Sequence, residues 1–134
     1  MAEIPSSGKV QGTLRQILRL EALLLGLLCL WLFQRSGASW WLFGGLILVP
    51  DLTMLGYLAG PRIGAAVYNA GHTLLGPGLL AAIGLGTQSS LALAIALIWG
   101  VHIFIDRTLG YGLKYPTAFG DTHLGLIGQA GKGA

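Results

Sequence analysis

Four apolar segments separated by short polar connections dominate the hydrophobic pattern of the chain. They run from Leu14 to Phe33, from Trp40 to Gly60, from Ile63 to Gly86 and from Leu91 to Leu109. Each reaches roughly the 20 residues that an α-helix needs to cross the hydrocarbon core of a bilayer. Because short connections make consecutive helices antiparallel neighbours, the pattern predicts an all-α, integral membrane four-helix bundle with short loops.

Two of these segments contain residues that interrupt a helix. Pro50-Asp51 lies inside the second segment, and Gly76-Pro77-Gly78 lies inside the third. Proline has no backbone N–H and its ring collides with the preceding turn, so an interruption at Pro50 and a kink at Gly76-Pro77-Gly78 are expected.

Composition supports a membrane environment. The chain is 54% hydrophobic and only 10% charged, whereas a soluble domain has about 25% charged residues. The mean hydropathy is +0.71. These values argue against a soluble enzyme, a nucleic-acid-binding protein and a disordered chain. The expected partner is therefore the lipid bilayer, and no nucleic acid is expected.

The basic residues predict the orientation. If the N-terminus is cytoplasmic, only Arg35 of the 8 lysines and arginines falls on the outer side, in agreement with the excess of basic residues in cytoplasmic loops. We therefore expect a multi-pass membrane protein with both termini cytoplasmic. Residues 1–13 would form an N-terminal segment, 14–110 the bundle and 111–134 a tail. Arg15 and Arg19, at the entry of the first helix, would snorkel to the interface.

Ionisable side chains inside the predicted spans are the candidates for function, because such residues are costly in a bilayer. A rise of 1.5 Å per residue places Asp51, His72 and His102 roughly 12–15 Å from the cytoplasmic ends of their helices. His102 and Asp106 share one helix face at a spacing of four. A polar cluster in the cytoplasmic half of the bundle is thus predicted. Its further polar members would be Asn69, Tyr57, Tyr68, Arg107 and His123.

Three interpretations of this cluster follow from its chemistry. The first is a static polar core whose groups satisfy one another. The second is a site for a divalent metal such as zinc, with His72, His102 and one aspartate as ligands; the other of Asp51 and Asp106 would be the catalytic base on a bound water. A lipid or another amphiphile would then be the substrate. The third is a proton or ion pathway.

A non-catalytic role is a competing hypothesis. The short chain and its 22 glycines suit an accessory subunit that packs in a larger membrane complex or a homo-oligomer, because small residues let helices approach closely in lipid. A transporter would need an oligomer.

Two strings, DLTMLGYLAGPRIGAAVYNAGHT and HIFIDRTLGYGLKYPTAFGDTHLG, carry a family resemblance. Their motifs are Asp51-x-x-x-x-Gly-Tyr57, Tyr68-Asn69 with His72, and His102 with Asp106-Arg107 and the Gly-Tyr-Gly-Leu-Lys-Tyr run at residues 110–115. Over roughly residues 14–128 the chain resembles the uncharacterised bacterial membrane family called domain of unknown function 4260. This resemblance implies membership and a location in the bacterial inner membrane, but no mechanism. On residue type alone, the chain is also similar to bacterial membrane-bound metal-dependent hydrolases, which place His and Asp on short helices.

Overall fold

The computed structural model describes residues 12–114 and 121–126, and this part of the chain is almost entirely helical. The α-helices are α1 (Gly12–Ser36), α2 (Trp40–Leu46), α3 (Pro61–His72), α4 (Leu75–Gly86) and α5 (Ser90–Leu109), and a 3-10 helix (Val49–Ala59) follows α2. In the tail, β1 (Asp121–Thr122) and β2 (Gly125–Leu126) form a short antiparallel ribbon. The all-α prediction is confirmed. The predicted N-terminal segment and tail lie partly outside the described residues.

Three helical segments are long and apolar enough to cross a membrane. They are Gly12–Ser36, Trp40–Ala59 and Ser90–Leu109, which match the first, second and fourth predicted spans. Most of their large apolar side chains are exposed, as lipid-facing residues would be. Within Trp40–Ala59 the helix type changes from α to 3-10 just before Pro50, so the predicted interruption at Pro50-Asp51 is present.

The third predicted span is divided into two helices. α3 and α4 have 12 residues each, about 18 Å, so neither is long enough to cross a bilayer alone. The expected kink at Gly76-Pro77-Gly78 is instead a break at Thr73 and Leu74. Pro77 explains the shift, because its ring displaces the carbonyl of the residue four positions earlier, Thr73. Pro77 itself lies in the first turn of α4, where N–H groups have no intrahelical partner.

Helix α5 is the central element of the fold. It packs against α1 on one side and α4 on another, while α3 packs against the 3-10 helix. A small apolar core forms where Phe33 of α1 meets Ala94 and Ile98 of α5. Phe33 also makes edge-to-face contacts with Trp40 and Phe43, at ring-centroid distances of 4.8 and 5.3 Å. The packing brings the breaks of the second and third segments against the middle of α5.

Close packing between α3 and the 3-10 helix depends on small residues. A Cβ atom added at Gly64 would overlap the ring of Tyr57, and one at Gly71 would lie 2.6 Å from Cγ2 of Thr53. Gly78 of α4, by contrast, has open space around the same position. Glycine at 64 therefore allows the Tyr57 ring to lie directly on the α3 backbone.

We expect Gly64→Ala to lower the free energy of unfolding by about 1–3 kcal/mol, because the Tyr57 ring must move to admit the methyl group. Gly78→Ala is the matched control and should be neutral or slightly stabilising, since alanine favours helix. Thermal unfolding of both variants in detergent measures the difference. Equal melting temperatures for the two would contradict the packing described.

Candidate metal centre

Four ionisable side chains from three separate elements meet at one point. Asp51 comes from the first turn of the 3-10 helix, His72 is the last residue of α3, and His102 and Asp106 come from α5. One nitrogen or oxygen atom from each lies within 4.8 Å of the others, so the group could hold a metal ion. The two histidines are 3% and 4% exposed, whereas the side chain of Asp106 is 19% and that of Asp51 36% exposed.

Five of the six distances between these atoms are short and similar, and the sixth, between the two carboxylate oxygens, is within 4.8 Å. Nε2 of His72 lies 3.2 Å from Nε2 of His102. Oδ1 of Asp51 lies 3.2 and 3.1 Å from the Nε2 atoms of His72 and His102. Oδ2 of Asp106 lies 3.4 and 3.3 Å from the same two atoms. Four potential ligand atoms thus surround a common centre.

The other ring nitrogen of each histidine faces a backbone carbonyl. Nδ1 of His72 lies 2.9 Å from the carbonyl oxygen of Tyr68, and Nδ1 of His102 lies 2.6 Å from that of Ile47. A carbonyl oxygen only accepts hydrogen bonds, so each Nδ1 carries its proton and donates it. In the neutral rings both Nε2 atoms are then unprotonated, and their lone pairs point at each other and at the carboxylates. This is the arrangement by which proteins orient metal-binding histidines.

Pro50 explains why the Ile47 carbonyl is available. In a 3-10 helix the Ile47 carbonyl would accept from the N–H of residue 50, but residue 50 is proline and has no N–H. Its α-helical partner would be the N–H of Asp51, but that group donates to the carbonyl of Leu48 at 3.0 Å. The Pro50-Asp51 dipeptide therefore supplies both an aspartate ligand and the carbonyl that orients His102.

Side chains of α5 also satisfy carbonyls at the end of α3. Nε1 of Trp99 donates to the carbonyl of Gly71 at 2.6 Å, and Nη2 of Arg107 donates to that of His72 at 3.2 Å. The last carbonyls of a helix have no intrahelical partner, and here the break before α4 prevents continuation. These bonds fix the end of α3 that carries His72. Arg107, predicted as part of the polar cluster, thus acts on the backbone of a candidate ligand.

Tyr68, Asn69 and Lys114 form a second set of contacts behind His72. The Tyr68 ring stacks on the His72 imidazole with centroids 3.8 Å apart and planes 7° from parallel. The Asn69 amide binds both backbone groups of Lys114, donating to its carbonyl at 2.8 Å and accepting from its N–H at 2.6 Å. This places the Lys114 Nζ 4.8 Å from the centre of the Tyr68 ring.

Lys114 belongs to this set of contacts, although the charge pattern of the sequence indicates only a cytoplasmic positive charge there. The residue is 4% exposed. Burial lowers the pKa of its ammonium group to about 8, and the nearby Asp106 carboxylate offsets part of that shift. The signal that could have identified it is its position in the Gly-Tyr-Gly-Leu-Lys-Tyr run, where a basic residue stands among glycines and aromatic residues.

The remaining predicted site residues lie outside the four-residue group. The Tyr57 ring packs on Gly64, and His123 exchanges hydrogen bonds with the backbone of Leu113 through its N–H and its Nδ1. Burial and the Arg107 guanidinium lower the pKa of His123 below its ordinary value. Arg15 and Arg19 do not simply snorkel, because they donate to the carbonyls of Leu124 and Thr108.

The described residues define a helical protein with helices of membrane-spanning length around a buried group of histidines and aspartates. The chain belongs to the family described as a domain of unknown function, DUF4260, which it matches over residues 15–127. The match includes all four residues of the centre and confirms the resemblance noted from the sequence. No curated protein and no solved structure matches the chain.

The buried Lys114 predicts a specific pH dependence. Between its folded pKa of about 8 and its ordinary value of 10.5, the unfolded chain binds more protons at this position than the folded chain. Stability from this group therefore rises with pH across that window, and the penalty for burying the charge is fully present below it. Lys114→Met should remove this contribution. The melting temperature of the wild type should therefore rise relative to that of the variant between pH 7.5 and pH 9.5.

Thermal unfolding in detergent at several pH values measures this difference. Arg62→Met, which removes an exposed cation of α3, is the control and should retain the pH slope of the wild type. A constant gap between the wild type and Lys114→Met across the window would show that the ammonium group is not buried.

Proposed function

We propose that this chain is a membrane metalloprotein in which His72, His102, Asp51 and Asp106 bind one divalent transition-metal ion such as zinc. The convergence of four ligand atoms, with five of their six separations nearly equal, is the observation that carries the proposal. A tetrahedral ion with bonds of about 2.0–2.1 Å separates its ligands by about 3.3–3.4 Å. The five distances between the ligand atoms given above span 3.1–3.4 Å.

Charge and hydrogen-bond chemistry favour a metal over a static polar core. Both Nε2 atoms are acceptors when the rings are neutral, and both ionised carboxylate oxygens are acceptors too, so the group needs a cation or bound protons to be satisfied. Protonation of both imidazoles would instead place two N–H donors 3.2 Å apart. One divalent cation satisfies four acceptors together, and two aspartates balance its charge, which matters where desolvation is costly.

Hydrolysis is a second candidate function, favoured by the unequal exposure of the two aspartates. Asp51 is 36% exposed and belongs to the 3-10 helix, so its carboxylate is the ligand that can leave and admit a water molecule. Catalytic zinc sites keep one such position open. In this scheme His72, His102 and Asp106 would hold the ion, the ion would activate a water molecule, and Asp51 would act as general base on that water.

An apolar cavity beside the centre fits a lipid or another amphiphile as the substrate. It has a volume of about 330 Å³ and is lined by Pro50 and Gly71, which directly precede two of the ligands, and by Val49, Thr53 and Trp99 among others. Its walls are almost wholly apolar. In a bilayer, the apolar groups available to bind there are the acyl chains of lipids.

The proposed setting is the bacterial inner membrane, with both termini in the cytoplasm and lipid as the main partner. The accessory-subunit hypothesis predicts something different: stable copurification with a larger complex from native membranes, and tolerance of His72→Ala and His102→Ala. Loss of the metal together with loss of stability in those variants would favour the metalloprotein.

Metal binding is tested on the detergent-purified chain. After chelation and reloading, we expect about one zinc or cobalt ion per chain, and addition of the ion should raise the melting temperature. His72→Gln and His102→Gln should weaken binding by more than about 100-fold, since loss of an outer-shell partner alone costs about 10–100-fold.

His123→Gln is the matched control, because it removes a half-buried imidazole that does not belong to the group. It should bind metal as the wild type does. The proposal would be refuted by a metal-free wild type whose melting temperature changes with neither chelator nor zinc. The four side chains would then form a polar core held together by bound protons.

Asp51→Asn and Asp106→Asn separate hydrolysis from metal binding. With chromogenic carboxylate and phosphate esters of short and long chain in mixed micelles, Asp51→Asn should retain the ion and lose at least about 100-fold in rate, as expected for loss of a general base. Asp106→Asn should lose the ion itself. Full activity in Asp51→Asn, or equal metal loss in both variants, would count against Asp51 as the base.

A further inference from the structure

A long groove lies on the surface of α5, between α1 on one side and α4 on the other. Its volume is about 500 Å³ and its lining is mostly apolar. Along α5 the lining residues run from Phe104 to Leu93, and along α4 from Leu74 to Leu85, a length of roughly 16 Å at the rise of an α-helix. Half of the hydrocarbon core of a bilayer is about 15 Å. The long groove therefore has the length of an acyl chain in one leaflet.

A smaller cavity of about 160 Å³ adjoins one end of the long groove, because Leu74 and Phe104 line both. Its lining differs in kind, since it includes Glu21 of α1, Arg107 of α5 and His123 of the tail. Arg107 lies in the last turn of α5, so this polar cavity is at the membrane surface on the side of the tail. Together the two cavities match an amphiphile, with a polar end at the surface and an apolar end in the hydrocarbon.

The polar cavity contains both hydrogen-bond donors and an acceptor. Burial and Arg107 lower the pKa of His123, and its Nδ1 accepts from the N–H of Leu113 at 2.9 Å. The proton of the neutral ring is therefore on Nε2, which remains as a donor. Arg107 donates through Nη2 to the carbonyl of His72, and a guanidinium has further N–H donors. Glu21 is exposed, and among the described residues no salt bridge joins its carboxylate to Arg107.

We propose that the two cavities bind one phospholipid of the phosphatidylethanolamine class, with an acyl chain in the long groove and the headgroup in the polar cavity. The phosphate accepts from Arg107 and His123, and the primary ammonium group donates to the Glu21 carboxylate. Hydrogen bonds between charged groups are the strong ones. The long groove is separate from the cavity lined by Pro50 and Gly71, so this site does not depend on the proposed metal function.

The combination of a cation and a carboxylate in one cavity selects the headgroup. Phosphatidylglycerol offers a phosphate without an ammonium group, and its negative charge would be close to Glu21. Phosphatidylcholine carries a quaternary ammonium group, which has no N–H to donate to the carboxylate. A zwitterionic headgroup with a primary amine supplies an acceptor for the two donors and a charged donor for Glu21.

Native mass spectrometry of the delipidated chain in detergent measures the headgroup preference, with the three phospholipids carrying identical acyl chains. The wild type should bind one phosphatidylethanolamine at least about 10-fold more tightly than the other two, as expected for one additional charge-assisted hydrogen bond. Glu21→Gln should bring phosphatidylethanolamine to within about 3-fold of phosphatidylcholine. Arg35→Gln is the control, because Arg35 lies at the opposite end of α1 over the Trp31 ring, and it should keep the wild-type preference.

A matched pair of substitutions on α4 tests the long groove. Gly78 and Gly86 both have open space at the position of a Cβ, but Gly78 lines the groove and Gly86 does not. Gly78→Phe should fill the groove and weaken the binding of all three lipids by about 10-fold or more, because a few buried methylene groups contribute that much. Gly86→Phe should bind them as the wild type does.

Three results would overturn the proposal. Equal affinity of the wild type for the three lipids, or an unchanged preference in Glu21→Gln, would exclude the headgroup contacts. Equal lipid binding by Gly78→Phe and Gly86→Phe would exclude the long groove. A dimer that dissociates in Gly78→Phe and persists in Gly86→Phe would assign the groove to a second copy of the chain instead of a lipid.

Discussion

A backbone carbonyl without a donor cannot be left inside a bilayer, and the helix breaks in this chain create several of them. No water is present there to donate a hydrogen bond to the carbonyl, so each unsatisfied group costs several kcal/mol. Pro50 leaves the carbonyl of Ile47 without a helical partner, and the break after His72 does the same at the end of α3. Three side chains of α5 donate to these groups: His102, Trp99 and Arg107. The central position of α5 follows from this requirement as much as from apolar packing.

The same hydrogen bonds determine the chemistry of the centre. Because His102 donates through Nδ1 to Ile47, its Nε2 is left to face His72 and the two aspartates. In water, solvent molecules would donate to the carbonyl that a helix break leaves free. Here His102 donates to it, and the break thereby orients a candidate ligand. Binding of a cation would in turn connect the 3-10 helix, α3 and α5 through one ion, so that metal affinity becomes part of the free energy of folding.

The four residues of the centre could be found from the sequence because two constraints are independent of tertiary detail. Helical rise is fixed, so counting residues gives depth, and burial of an ionisable group in lipid is costly enough to demand partners. Asp51, His72, His102 and Asp106 all emerged in this way. The break at Thr73 follows from the Pro77 ring by a local rule, whereas the 3-10 conformation after Leu48 and the contacts of Lys114 depend on packing that the sequence does not reveal. Asn69 shows the difference, since its spacing placed it near His72 but only the fold shows that its amide binds the tail.

Small residues explain how Asp51 comes close to His72. The 3-10 helix can approach α3 because Gly71 has no side chain; a Cβ there would lie 2.6 Å from Thr53 Cγ2 and 3.4 Å from the Pro50 carbonyl. Thr53 completes this contact by donating its hydroxyl to that carbonyl at 2.6 Å. A larger residue at 71 would push the 3-10 helix outward and carry Asp51 with it. The other three candidate ligands lie on α-helices. The distance between the 3-10 helix and α3 therefore decides whether Asp51 reaches the centre.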